Sequence, residues 1–448
     1  IIKISVPMMI GMFIQSLYNL IDGFWVAGLG ADELAAVGLF FPFFMIIISI
    51  GAGIGVGGSS ALSRRIGENN KIDADNTAVH TILLGVGIAL AMSIPIWPFL
   101  PNIFSSFSGN SKITLMATNY AKILFGGAVI LIFSNIANAI LRGEGDAKRA
   151  MYGLLLGSVL NIVLDPIFIY TLGFGVSGAA IATVISISAS ALLFVFWLFI
   201  KKDTYIDITF RDFTPSRKIL KEILGVGIPS SLAQLSMSFA MVFINFIVIM
   251  NGGTDGVAVF TSGWRIVMVG IIPLIGLATG VTAVTGAAYG SRDKEKLNTA
   301  YLYALKIGIM IELGVAVLVA TFASQLSYIF TYSEEAARIS SELITFLRIT
   351  AVMYPTIPLG MLTSAMFQGV GKGINSLMVT ILRTAVLTVP LAFIISTFIG
   401  LTGVWIGLVL GNIIAVSVAL LWGKITIKNI RFKPIDDIIK DESYLGEY

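Results

Sequence analysis

Two carboxylates inside apolar stretches are the residues of this chain most capable of chemistry. Asp22 lies deep in the first apolar run, with Phe24, Trp25 and Val26 after it. Gly11, Gln15, Tyr18 and Asp22 follow one another at steps of four, three and four, which puts them on one face of a helix. Asn161 and Asp165 stand one turn apart in a later run, and Ser134 and Asn138 one turn apart in another. Thr183 falls two turns beyond the Gly175–Gly178 bend. An ionised group in hydrocarbon is costly to keep, so each such carboxylate is a functional candidate by default. If the helices carrying them line a common interior, oxygens of Asp22, Asn161, Asp165 and Thr183 converge. That donor set suits a hard cation such as Na⁺, or a proton shared between two carboxylates. For Asn161 or Thr183 taken singly, an interhelical hydrogen bond that only glues helices together is an equally good reading.

Other residues carry weaker signals. Pro7 removes a backbone donor in the first run and predisposes it to bend, as an entry kink or as part of a gate. Glu312 is a third carboxylate in an apolar run, and Lys306 lies on a different helical face. Gly53-Ile54-Gly55-Val56-Gly57-Gly58 superficially resembles a nucleotide loop, but inside an apolar run it reads as close helix packing. His80, the chain's single histidine, is expected to be incidental at a helix edge. The sequence contains no Gly-x-x-x-x-Gly-Lys-Ser/Thr loop and no serine elbow or zinc motif, so neither an ATP-driven pump nor a hydrolase is expected. Zero cysteines exclude disulfides and thiolate metal sites.

The elements that must position these groups are membrane helices. Apolar residues make up 56% of the chain and charged residues 12%, with a mean hydropathy of +0.93. Long continuous apolar runs recur, each able to cross ~30 Å of hydrocarbon, and they lack the period-two alternation of a β-barrel. The reading is an all-α polytopic membrane protein of twelve transmembrane helices. The chain starts within a spanning run, so no cleavable signal peptide is expected. Basic residues gather in the even connections, for example Arg64, Arg65 and Lys71, then Lys148 and Arg149, then Arg292, Lys294 and Lys296. The positive-inside bias therefore places both termini and these connections in the cytoplasm of a plasma-membrane protein.

The chain is also one unit written twice, at an offset of roughly 225 residues. Val6-Pro7 meets Ile228-Pro229, Gly30-Ala31-Asp32 meets Gly253-Thr254-Asp255, and Arg142-Gly143-Glu144-Gly145 meets Gln368-Gly369-Val370-Gly371. Gly175-Val176-Ser177-Gly178 meets Gly400-Leu401-Thr402-Gly403, and Asp165-Pro166 falls on Val389-Pro390, where the carboxylate is gone. Six spans per copy is even, so the copies are parallel repeats. The expected division is an N-terminal lobe at 1–200, a cytoplasmic linker at 201–218, a C-terminal lobe at 219–425 and a cytoplasmic tail at 426–448.

These motifs together resemble the multidrug and toxic compound extrusion (MATE) family, and its DinF-type prokaryotic branch in particular. The carrying residues are Val6-Pro7 through Gln15, Asn19 and Asp22, the stretch Gly30 to Val37, Leu141 to Asp146, Asn161 to Pro166, and Gly178 to Thr183. The resemblance implies a non-enzymatic exporter that works by alternating access between two lobes. It needs no cofactor beyond a coupling ion, Na⁺ or H⁺. By analogy Asp22, Asn161, Asp165 and Thr183 would bind the cation, and Gln15, Tyr18 and Asn138 would line the substrate chamber. Small organic drugs, toxic cations or zwitterions would be the substrates and membrane lipids the surroundings. Nucleic acid is not expected as a partner, and the chain would act as a monomer. Another branch also uses acids in helices seven and ten, where this sequence has Asn245 and only Glu342 near the start. The alternative is a lipid-linked precursor flippase with the same duplication, which would call on Arg265, Arg348 and Arg383.

Overall fold

A computed structural model describes residues 1–107 and 109–432 of the chain. The part of the expected tail at 433–448 lies outside the described residues. Among those described, regular structure is helical throughout. The N-terminal lobe comprises α1 (Ile2–Ala27), α2 (Ala31–Gly67), α3 (Lys71–Phe107), α4 (Ser111–Gly126 with Ala128–Glu144, bent by 48°), α5 (Ala147–Thr171) and α6 (Gly175–Lys201). In the second lobe, Arg217–Gly290 holds α7 and α8, joined at Gly253. After α9 (Lys294–Thr321) and α10 (Ser340–Gly369), the stretch Gly373–Asn429 holds α11 and α12, joined at Gly400. Twelve spans result. The connections expected between spans seven and eight, and between eleven and twelve, are not loops: helical hydrogen bonding runs up to a single broken joint in each.

The duplication is written in the backbone. Gly30 and Gly253 have φ of 135° and 56°, Gly145 and Gly371 of 94° and 78°, and Gly175 and Gly400 of 53° and 64°. Each landmark glycine and its counterpart thus occupy the left-handed region that side chains avoid, because the chain must turn sharply between helices there. Asn69 and Arg292, at matching turns of the two copies, share it at 57° and 59°.

Each lobe has its own apolar core, one built around Phe40, Phe104 and Phe194 and the other around Phe260, Phe346 and Trp405. The lobes meet along α2 and α1 against α7 and α8. Glycines permit this: Gly53 and Gly57 of α2 lie directly against the backbone of α7 at Gly227 and Ile223, and Gly276 and Gly280 of α8 against Met9 and Ser5 of α1. Small residues at helix contacts let backbones approach, which is what stabilises helix pairs in lipid.

The connection between the lobes is pinned to the N-terminal one. Ile206 and Ile208 are buried in that lobe's core. Glu144 accepts from the Ile206 amide at 3.1 Å, Asp75 from the Asp207 amide at 2.9 Å, and Asn76 donates to the Thr214 carbonyl at 2.8 Å. His80 is not incidental. Its Nδ1 faces the Asn76 carbonyl at 2.8 Å, its Nε2 accepts from the Ser216 amide at 2.9 Å, and its ring lies 4.7 Å from that of Phe213. Lys201 beside Asp203 and Lys202 beside Asp207 hold both carboxyls below the usual aspartate range.

Candidate ion and substrate site

Asp165 sits in the last α-helical turn of α5, just before Pro166, after which residues 167–171 widen into a π turn. Proline supplies no amide to the helix ladder, so the register changes there and the aspartate is held at the junction. Asp165 is fully buried and Asn161 nearly so, at 0% and 2% exposure. Asn161 Nδ2 reaches Asp165 Oδ1 at 3.2 Å and Thr183 Oγ1 of α6 at 3.4 Å. Asp22 of α1 faces Asp165 within carboxyl-to-carboxyl hydrogen-bonding reach. One oxygen each of Asp22, Asp165 and Asn161 is buried without a protein donor. Two carboxylates so placed repel one another unless a proton or cation lies between them. The four residues therefore form one cluster, on three helices that are distant in sequence.

A cavity of ≈ 450 Å³ lies beside this cluster. Gln15, Tyr18 and Asn138 line it, and so do Asn161 and Thr183 of the cluster; Asp22 and Asp165 do not line it. Gln15 is exposed to this space, whereas Asn138 is buried and donates to the Ala150 carbonyl at 2.8 Å. The far wall comes from the second lobe, through Gln234, Thr279, Thr282 and Gln368. Pro7 lies within α1, which continues through it as α-helix.

The cavity also holds a residue that sequence reasoning did not place there. Arg142 is the one charged residue among those lining it, and its Nε has no hydrogen-bond partner among the described residues. A signal was available: Arg142 and Gln368 are counterparts in the repeat, and both face the cavity. In the second lobe Glu312 is fully buried, and both its carboxylate oxygens lack a hydrogen-bond partner among the described residues, as does the hydroxyl of Tyr354, which lies within electrostatic reach. Among the described residues no group of three or more His, Cys, Asp or Glu could hold a metal ion.

The MatE family model matches residues 7–167 and again 229–394, once on each lobe. The chain belongs to the MatE family. This MatE protein is accordingly a multi-pass membrane transporter and not an enzyme. Among curated relatives it is 26% identical over 420 residues to the multidrug export protein MepA of Staphylococcus aureus strain MSSA476, covering 93% of this chain and 91% of that one. A solved structure described as showing reverse polarity of the binding pocket, suggesting a different function, in a MOP superfamily transporter from Pyrococcus furiosus is 56% identical. It covers 95% of each chain with a TM-score of 0.92. Another, the outward-facing conformation of a multidrug resistance MATE family transporter, is 55% identical with a TM-score of 0.92 over 96% of each chain.

Proposed function

We propose that this MatE protein exports amphipathic organic compounds, cationic or zwitterionic, in exchange for Na⁺ or H⁺ by alternating access, as a monomer with both termini cytoplasmic. The observation that carries this reading is the shared wall: Asn161 and Thr183 belong both to the carboxylate cluster and to the cavity lining. A cation arriving at Asp22 and Asp165 reorients the same amide and hydroxyl that a substrate in the cavity touches. The two ligands therefore bias one equilibrium in opposite directions, which is what antiport requires. Arg142 would meet the anionic end of a zwitterion in that cavity. The drug-exporting relatives favour export over the lipid-precursor flippase reading.

The test is efflux of a fluorescent organic cation from proteoliposomes under separately imposed Na⁺ and proton gradients. Export driven by one of them is expected, with loss in Asp165→Asn. Export driven by neither ends the reading.

A further inference from the structure

The second lobe carries its own pocket where the first lobe carries the carboxylates, and its chemistry is inverted. A pocket of ≈ 130 Å³ lies among α7, α8, α10, α11 and α12. Val389, the counterpart of Asp165, lines it. Met241, which stands before Asp255 as Tyr18 stands before Asp32, lines it too. Asn245, placed likewise against Asp22, lines the adjoining interlobe space of ≈ 360 Å³ and donates its amide to the Met241 carbonyl at 2.9 Å. The pocket and the interlobe space share Met241, Phe260, Trp264 and Met268, so they adjoin across these side chains.

The walls are apolar and adaptable. Met237, Met241, Met268 and Met353 all contribute, and unbranched thioethers repack around varied shapes. Behind them an aromatic stack is fixed: Phe260 lies 5.6 Å from Trp264 and 6.0 Å from Trp405, and Trp405 Nε1 donates to Glu342 at 2.7 Å. That anchoring keeps the pocket formed in the absence of ligand.

Into this wall projects Arg383. It lies about 15 Å along α11 from Gly373 by helical rise, near the middle of a span. It is the second residue of the π turn at 382–388, a local widening of the kind that recurs at functional sites. Among the described residues its one side-chain hydrogen bond is to Met237 Sδ at 3.9 Å, and no carboxylate pairs with it. Arg265 lines the adjoining interlobe space, also without a salt bridge among the described residues. A guanidinium held mid-membrane without an acid is costly, and such residues mark ligand pathways. A planar fork of donors fits a carboxylate or sulfonate bidentately.

We infer that the Val389–Arg383 pocket of the second lobe is a binding subsite for amphipathic organic anions: the apolar or aromatic body sits against the methionines and Trp264, and the acid group on Arg383. The first lobe then handles cations and the second recognises anions, although the two descend from one repeat. The inference goes beyond the export reading, and it is tested with no gradient applied, so either can fail without the other.

The experiment uses the full chain in phosphatidylcholine nanodiscs and a matched pair of dyes. These are 1-anilinonaphthalene-8-sulfonate and its uncharged analogue N-phenyl-1-naphthylamine, each followed by energy transfer from tryptophan. Arg383→Gln should weaken sulfonate binding about tenfold and leave the neutral dye within about twofold, as expected for losing one charge-assisted contact. Arg383→Lys should retain part of the sulfonate preference. Val389→Trp, which fills the pocket, should weaken both dyes. Unchanged sulfonate affinity in Arg383→Gln, or in Val389→Trp if the glutamine variant does not assemble, overturns the inference. Displacement of the sulfonate by phosphatidylglycerol added to the disc would assign the site to lipid headgroups and overturn it for small solutes.

Discussion

Arg65 of α2 and Glu222 of α7 meet at 2.9 Å across the boundary between the two lobes. Arg64 approaches the same carboxylate at 3.4 Å and also donates to Ser60 Oγ at 2.7 Å, while Ser60 donates to the Gln368 carbonyl. The two arginine side chains are 9% and 8% exposed and that of Glu222 28%, so this is a partly buried clasp rather than a surface pair. It joins the lobes at one end of the helices, one to three turns along α2 from the glycine contacts of Gly57 and Gly53.

Glu222→Gln is therefore expected to favour opening on that side. Removing a charged partner from a partly buried pair costs about 1–3 kcal/mol, roughly a five- to 150-fold change in the equilibrium. Spin labels at Ile72 and Glu295, exposed at matching helix starts of the two lobes, should show a longer distance population by pulsed resonance. An unchanged distance distribution would mean that the clasp does not set the conformation. Gly57→Ala should act in the same direction, because a methyl there meets the Ile223 carbonyl.

The asymmetry between the copies predicts asymmetric mutants. Asp165→Asn and Asp22→Asn should abolish coupled efflux with near-normal expression, since an amide keeps the hydrogen bonds but cannot cycle charge. Val389→Ala should lose little coupling. If Glu312→Gln stops coupling while both aspartate variants transport normally, the ion site lies in the second lobe instead.

Topology follows from the charge pattern. Single cysteines at Asn69, Lys148 and Ser291 should label from the cytoplasmic side and one at Asp255 from outside. Labelling of Asp255 and Lys148 from one side contradicts the arrangement.

The linker should behave as part of the first lobe. His80→Ala removes the acceptor of the Ser216 amide and a ring packed on Phe213. It should cost about 1–3 kcal/mol locally and speed hydrogen exchange at 213–217.

Acid should loosen the same strap. Asp203 and Asp207 are held below the usual aspartate range by Lys201 and Lys202, so their contribution is present above the unfolded value. It is lost as pH falls through the lower folded values. Exchange at 203–209 should be flat from pH 7 to 5, after correction for intrinsic rate, and rise only below about pH 4. A rise near neutrality would point to some other group.

The sequence by itself determined the twelve helices, the duplication, and the residues of the carboxylate cluster. Apolar run length decides membrane spans directly, and the repeat is visible wherever a left-handed turn demands glycine, as at Gly30 and Gly253. Helical spacing placed Asn161 and Asp165 on one face because that relation is local. Only the tertiary structure decided what spacing cannot encode. It set Asp22 against Asp165 across two helices, turned Arg142 into the cavity, and gave His80 the strap as its partner. It also merged α7 with α8 and α11 with α12 across single broken joints. Arg383 shows the reason most plainly. Its position in an apolar run was legible, but which neighbours surround it depends on five helices from the whole second half of the chain. Contacts between such distant segments are set by packing, not by local pattern.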